Sequence, residues 1–252
     1  MKKTLAIFFI VINIWGCSSD YGVEKIIAQN DLQKLKKIIK NRAVINNTDY
    51  KGRTPLYLAA LYGRAEITKY LLNNGADPLK RANWKDYATP LHVAATQGHL
   101  TIVGMFVDKG VNVNCKTMNG ITPLISAARH RKPEVVELLI KHGGNLNVKD
   151  SHGKGVLHGY DWSKEVNDDL TKTIDLLITA GADVNSLSDE GETPLMCISS
   201  IGAIDAVKKL VESGAIVDKK NSHGLNAIDM AENNGHDKVA DFLRSVLNKG
   251  RI

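Results

Sequence analysis

The chain has 252 residues, of which 43% are hydrophobic and 24% charged, so it is long enough and apolar enough to bury a core. Three cysteines are too few for a disulfide framework, which excludes the small cysteine-stapled secreted domains. The net charge of +6 is a small surplus for this length, and we therefore expect no nucleic-acid partner.

The first segment, residues 1–16, has the layout of a secretory signal peptide with a basic start. Its apolar run from Leu5 to Ile12 is too short to span a bilayer as a helix, which takes about 20 residues. The sequence Ile14-Trp15-Gly16-Cys17 resembles the lipobox of bacterial lipoproteins, in which the cysteine receives lipid and becomes the first mature residue. Trp15 departs from that pattern, so a plain signal peptide cut near Ser18 is the alternative.

The lipobox resemblance implies that Cys17 anchors the protein to a membrane through acyl chains. Residues 17–23 then form a tether between the lipid and the folded domain. Because Ser18 follows the cysteine where aspartate would favour the inner membrane, the resemblance points to an outer-membrane lipoprotein that faces the periplasm. The alternative is a soluble periplasmic or secreted protein.

A short motif, Thr-Pro-Leu, recurs along the rest of the chain and predicts a repeat protein. The second and third copies are 33 residues apart, and a degenerate copy at 155–158 falls one further period on. A second feature, a glycine that we call the glycine marker, recurs with a similar spacing later in each repeat. The motif begins at Thr54, Thr89, Thr122 and Thr193, and the marker lies at Gly75, Gly110, Gly143, Gly181 and Gly214.

Each period carries two short helical patterns. The threonine can cap the first helix, the proline suits its first turn, and a glycine near its end suits a left-handed cap. The second helix has one apolar face and stops before the glycine marker. This arrangement resembles the ankyrin repeat, whose signature Thr-Pro-Leu-His has its histidine at His92 and His158.

The ankyrin resemblance implies an all-α solenoid of about seven helix–turn–helix units, with degenerate terminal caps and β-turn fingers, over residues 24–248. Asp31 to Asn46 fits half of the N-terminal cap, and Asn226-Ala227-Ile228-Asp229 replaces the motif in the C-terminal unit. Such stacks bind other proteins on their fingers and first helices. We therefore expect a non-enzymatic, monomeric protein-binding module without a cofactor.

The turn at 82–88 departs from the repeat by two extra residues. This length predicts a protruding finger that presents Trp84 and Tyr87 as a binding anchor, since Trp and Tyr are favoured in binding hot spots. The alternative is a loop that folds back and buries Trp84 against its neighbour.

A second departure, at 159–173, adds five residues between the two helices of one unit. Tyr160 and Trp162 are expected to pack over the lengthened first helix there, with contact to a partner as the alternative. Asp168 and Asp169 are expected to start the second helix. An enzyme site hidden in this insertion is the least favoured function, because the segment offers neither a nucleophile–base pair nor a metal set.

The histidines and the basic run are not expected to form a metal site. Four of the eight histidines, His92, His99, His158 and His236, lie at signature positions, where the resemblance implies hydrogen bonds that stabilise the repeat, so no metal site is predicted. The basic run at 129–132 is expected to be a solvated surface, with contact to an acidic partner as the alternative.

The register of the repeats predicts which side chains face a partner. They lie on the finger tips and at the ends of the first helices. The candidate contact residues are Tyr50, Lys51, Arg53, Tyr62, Trp84, Tyr87, Met118, Ile121, Arg129, His130, His152, Lys154, Glu190 and Glu192. One specific hypothesis is an immunity protein that sequesters a toxin, and another is a periplasmic accessory protein that supports an enzyme such as a catalase or peroxidase.

Overall fold

The computed structural model describes residues 22–39, 45–83, 87–158 and 167–249, and these residues form thirteen α-helices. The Trp84 prediction and those for Cys17, Tyr160 and Trp162 lie outside the described residues. The helices are α1 Val23–Ala28, α2 Leu32–Ile38, α3 Pro55–Leu61, α4 Ala65–Asn73, α5 Pro90–Gln97, α6 Leu100–Asp108, α7 Pro123–Arg129, α8 Pro133–Lys141, α9 Asp168–Thr179, α10 Pro194–Ser199, α11 Ile204–Glu212, α12 Ala227–Asn233 and α13 Asp237–Lys249.

The chain divides into two units, Met1–Asn112 and Val113–Ile252. In the first unit, α1, α3 and α5 pack side by side as an inner layer, and α4 and α6 pack as an outer layer. Each inner helix packs on the helix that follows it, so the unit is a stack of antiparallel helix pairs. Leu56, Ile67, Leu91 and Phe106 fill the space between the layers and are fully buried.

The second unit repeats this two-layer packing. Its outer layer runs through α8, α9, α11 and α13, and its inner helices α10 and α12 pack against each other. Leu124, Leu139, Leu177 and Leu210 are fully buried between the layers. The predicted all-α repeat fold is therefore confirmed in both units.

The recurring threonine starts the first helix of a pair, as predicted. The hydroxyl oxygens of Thr54, Thr122 and Thr193 accept the backbone N–H three residues on, at 3.1–3.3 Å. Proline follows as the first helical residue in each case, where its missing N–H costs nothing. The first helices end as predicted in a left-handed residue, at Gly63 and Gly202 among others.

The repeat that begins at Gly155 differs from the expectation. Residues 155–158 form a turn rather than the start of a first helix, because the capping threonine and the first-turn proline are replaced by Gly155 and Val156. The second helix of this repeat, α9, begins at Asp168 as predicted. Leu157 and His158 are nevertheless buried, so the turn still contributes to the core.

Candidate functional site

Five short turns, which we call fingers, share one pattern of hydrogen bonds. The first residue of each finger donates its backbone N–H to the carbonyl oxygen four residues on, at 2.9–3.0 Å. Its side-chain oxygen accepts the backbone N–H of that same later residue, at 2.9–3.2 Å. These bonds hold each finger rigidly. The fingers span residues 49–53, 117–121, 150–154, 188–192 and 221–225.

The fourth residue of every such finger is a glycine with φ between 69° and 76°. This left-handed conformation strains residues that carry a Cβ atom. At Gly52 and Gly153 a Cβ atom would also come within 2.6 Å of the backbone of the next finger. Glycine is therefore required both by the turn and by the close approach of the neighbouring finger.

Backbone hydrogen bonds join consecutive fingers in the second unit. Ser151 N–H donates to the Asn119 carbonyl at 2.8 Å, and Asp189 N–H donates to the His152 carbonyl at 3.1 Å. Ser222 N–H continues the series by donating to Glu190 at 2.9 Å. The finger tips of this unit thus form one continuous edge.

The turn at 82–88 is the long finger that the sequence predicts. Ala82 N–H donates to the Ala88 carbonyl at 3.1 Å, which closes a loop with two more residues than the other fingers have. Tyr87 precedes the closing residue, where the other fingers have glycine, and adopts a φ of 54°. Its side chain is 38% exposed, so the tyrosine lies on the surface of the finger.

In the first unit the structure separates the candidate contact residues into two groups. Tyr50 is 84% exposed at a finger tip, and the ammonium of Lys51 lies 5.3 Å from its ring centre. Arg53 is buried, and its guanidinium pairs with Asp49 at 2.7 Å and Glu24 at 2.5 Å. Arg53 therefore does not belong to a contact surface, because its charge is held inside the unit.

Tyr62, at the end of α3, joins this internal cluster. Its hydroxyl donates to Glu24 at 2.7 Å. Partial burial alone would raise the pKa of Glu24, but hydrogen bonds from Arg53 and Tyr62 outweigh burial and lower that pKa. The sequence analysis missed Glu24, whose partners lie 29 and 38 residues away, beyond the reach of a local pattern.

Two further ion pairs connect candidate residues in the second unit. Arg129 Nη2 lies 2.5 Å from the Asp150 carboxylate, and Lys154 Nζ lies 3.0 Å from Glu192. Burial would raise the pKa of Asp150, but the hydrogen bonds from Arg129 and from two backbone N–H groups lower it. The first pair links the end of α7 to the finger at 150–154, and the second links that finger to the one at 188–192.

The remaining candidates of the second unit differ in exposure. Met118 is 70% exposed at its finger tip, and His152 and Glu190 are also exposed at theirs. Ile121 and His130 are half-buried, and His130 Nδ1 lies 2.9 Å from the Ser126 carbonyl oxygen. The tips, rather than the closing residues, are the part of this unit that a partner can reach.

The basic run at 129–132 is not the solvated surface that the sequence analysis expected. Arg131 is only 3% exposed and has a φ of 55°, in the left-handed position that glycine takes in neighbouring repeats. Arg129 is held by its ion pair. The run therefore contributes mainly to structure.

Three signature histidines make the hydrogen bonds that the sequence analysis expected. His92 Nδ1 accepts Thr89 N–H at 3.3 Å, and His99 Nε2 contacts the Leu61 carbonyl at 3.2 Å. His158 Nδ1 accepts Gly155 N–H at 3.3 Å, and its Nε2 contacts the Glu192 carbonyl at 3.2 Å.

The sequence analysis missed a set of asparagine bridges at the bases of the fingers. Asn114 donates to the Gly143 carbonyl at 2.9 Å and accepts Asn145 N–H at 2.8 Å. Asn46 and Asn185 likewise donate to the carbonyl of the next marker glycine and accept the backbone N–H two residues after it. The signal was present, because Asn114 and Asn185 each lie four residues after a marker glycine.

The described residues include a groove of about 370 Å³ in the second unit, between residues 146–149, 155–157 and 182–187. Within the described ranges, no three His, Cys, Asp or Glu side chains are grouped so that they could bind a metal ion. No helix in these ranges has the length and apolar character needed to cross a membrane. What the described geometry offers chemically is a rigid row of exposed side chains.

Comparison with known proteins identifies ankyrin repeats over most of the chain. A model for three copies of the ankyrin repeat matches residues 79–150 and 164–250, and a model for many copies matches residues 23–72. Probable 26S proteasome regulatory subunit p28 of Saccharomyces cerevisiae is 29% identical over 225 residues, which cover 85% of this chain and 95% of that protein.

Two other relatives are much longer than this chain. A Danio rerio protein whose name assigns it to the palmitoyltransferases is 28% identical over 236 residues, which cover 93% of this chain and 36% of that protein. Human inversin is 27% identical over 224 residues, which cover 85% of this chain and 20% of inversin. The chain thus spans about a third or less of these two relatives.

Proposed function

We propose, since the chain belongs to the ankyrin-repeat family, that it is a non-enzymatic module that binds another protein through its finger tips. The family is generally a non-catalytic binding scaffold, and protein–protein interaction is the role that membership implies. Family membership does not specify the docking surface or the partner, and both are part of our proposal.

The observation that carries this proposal is the exposure of large apolar side chains on rigid finger tips. Tyr50 is 84% exposed and Met118 is 70% exposed, although each belongs to a turn that is closed by hydrogen bonds. Aromatic residues and methionine are enriched at protein interfaces. A rigid turn presents such a residue at little entropic cost, which favours binding.

We also propose that the protein is a monomer, tethered at the bacterial envelope through lipid on Cys17. The sequence Ile14-Trp15-Gly16-Cys17 supports the lipid anchor, and Ser18 supports the outer membrane with the protein facing the periplasm. A single acyl chain binds a membrane only marginally, so stable tethering needs two or more chains on the cysteine.

A tethered binder of this kind suits the sequestration of a toxin that reaches the periplasm, which is the role we propose. Such a role needs a stable contact surface and no catalytic group. The alternative is an accessory protein that supports a resident enzyme such as a catalase or peroxidase. A captured toxin would support the first role, and a captured catalase or peroxidase would support the second.

The test is crosslinking from the tethered protein in intact envelopes, followed by affinity measurements with the identified partner. Tyr50→Ala and Met118→Ala should each weaken binding about thirty-fold, the value for a hot-spot loss of about 2 kcal/mol. Both variants should melt at nearly the temperature of the parent protein, because the side chains are exposed.

Leu100→Ala is the matched control for this test. Leu100 is 42% exposed at the start of the outer helix α6, away from the fingers, so its removal should leave the affinity unchanged. If Leu100→Ala weakens binding as much as the finger variants do, the partner docks on the outer layer and the proposed surface is wrong.

A further inference from the structure

The surplus of positive charge is concentrated near the N-terminus. Residues 22–74 contain ten basic and four acidic residues, whereas residues 151–200 contain three basic and nine acidic residues. The net charge of +6 for the whole chain hides this asymmetry. A local excess of this size, beside a proposed lipid anchor, favours attraction to an anionic surface.

Most of the acidic groups in this region have hydrogen-bond or ion-pair partners within the protein, although Asp31 is exposed. Glu24 and Asp49 both hold Arg53, and the Asp31 carboxylate accepts a backbone N–H at 2.8 Å as the cap of α2. The fourth acidic residue, Glu66, lies exposed on α4. Three of the four negative charges therefore lie in contacts that hold the fold together.

Three lysines of this region lie on the two neighbouring second helices α2 and α4. Lys37 and Lys69 are exposed, and Lys36 is half-buried with its ammonium 5.5 Å from the ring centre of Tyr70. Since Tyr70 lies on α4, this contact shows that α2 and α4 are neighbours. Lys37 and Lys69 each lie two residues after a buried residue, Leu35 or Ile67, so both point away from the core of the unit. We call Lys36, Lys37 and Lys69 the lysine face.

We propose that the lysine face lies against the anionic headgroups of the membrane that holds the lipid anchor. This inference rests on the tether proposed above. Gly22, where the described chain begins, is five residues after Cys17, and a stretch of this length reaches about 18 Å at most when extended. The start of the described chain is therefore held within about two Debye lengths of the membrane's surface charge.

The electrostatic contact can be measured without the lipid. The chain without the anchor cysteine, residues 18–252, contains every described helix and is mixed with phosphatidylcholine vesicles that hold about 30% phosphatidylglycerol, at about 0.05 M salt. We expect cosedimentation that disappears with pure phosphatidylcholine and at about 0.5 M salt. Lys36→Gln, Lys37→Gln and Lys69→Gln combined should weaken partitioning about 100-fold, at about fivefold per lysine.

A second triple variant controls for net charge. Lys219→Gln, Lys220→Gln and Lys238→Gln remove the same charge from exposed positions in the other unit and should leave partitioning nearly unchanged. Equal losses in both triple variants, or no vesicle binding at low salt, would overturn the proposal. Tighter binding to an RNA or DNA oligonucleotide through the same lysines would overturn it in favour of a nucleic-acid ligand.

Two readouts separate this proposal from the proposed function. Labelling of Cys17 with a palmitate analogue reports the anchor whether or not the lysine face binds lipid. The affinity for the crosslinked partner reports the fingers, and the lysine-face variant should leave that affinity intact. A melting curve for each triple variant confirms that the chain remains folded.

Discussion

Tyr87 shows how one residue can combine strain with exposure. Its φ of 54° lies in the left-handed region, where the other fingers place glycine, and its side chain is 38% exposed. A side chain in this conformation costs about 1 kcal/mol relative to glycine. Strained residues of this kind are found preferentially at functional sites, which supports a role for the long finger in binding.

The strain at Tyr87 can be measured by comparing two substitutions. Tyr87→Gly should be more stable than Tyr87→Ala by about 1 kcal/mol, because glycine adopts a positive φ without a Cβ clash. Both should lose affinity for the partner to the same extent, since both remove the ring. Chemical denaturation and binding titrations measure the two effects.

Gly52→Ala tests the same backbone strain by adding a Cβ atom at a left-handed glycine. Gly52 has a φ of 72°, and an added Cβ atom would lie 2.5 Å from the backbone nitrogen of Asn83, so this variant should be clearly destabilised. A Tyr87→Ala variant as stable as Tyr87→Gly would mean that the finger relaxes out of the left-handed conformation.

At the scale of an element, we expect the repeat that begins at Gly155 to be the least stable internal one. Its turn has neither the capping threonine nor the first-turn proline, and a cap of this type contributes about 1 kcal/mol. His158 makes up part of the loss, because its ring accepts Gly155 N–H and contacts the Glu192 carbonyl. Local opening is expected to begin in this repeat, over residues 153–158 and 167–175.

This repeat should open more readily as the pH falls. Burial lowers the pKa of His158 below its ordinary value of 6.5, and the positive charge of Lys154 lowers that pKa further, against the raising effect of backbone carbonyl groups. The unfolded histidine therefore takes up a proton before the folded one does. Stability is complete above about pH 6.5 and decreases as the pH falls below it.

Amide exchange, corrected for the intrinsic rate, measures the effect between about pH 7.5 and 5.5. His158→Met should remove most of the pH dependence, since Met196 holds the same position in its own repeat and accepts Thr193 N–H at 3.4 Å through sulfur. His142→Gln, at an exposed position, is the control and should not alter it. Protection that does not change with pH in the parent protein would contradict the role given to His158.

At the scale of the whole molecule, lipid on Cys17 should decide where the protein is found. The parent protein should incorporate a palmitate analogue and float with outer membranes. Cys17→Ser should give a soluble or unprocessed form without label, because each buried methylene of a lost chain contributed about 0.8 kcal/mol of membrane affinity. Cys115→Ser is the control, and it should keep both the label and the location. Unlabelled parent protein with cleavage at another site would end the lipoprotein interpretation.

Local patterns were enough to predict the repeat, the helix pairs and the finger positions. The cap of a helix depends on a bond between residues three apart, and glycine at a left-handed position depends on its own φ, so both can be recognised from a few adjacent residues. The longer turn that carries Tyr87 followed in the same way, from the count of residues between 82 and 88.

The role of the charged side chains depended on contacts between distant parts of the chain. Arg53 meets Glu24 across 29 residues, and Lys154 meets Glu192 in the next finger. The register predicted that both cations face a partner, but stacking brings a carboxylate within reach of each. A periodic pattern specifies which residues face the same side, whereas the neighbours that they meet there follow only from how the helix pairs and fingers stack.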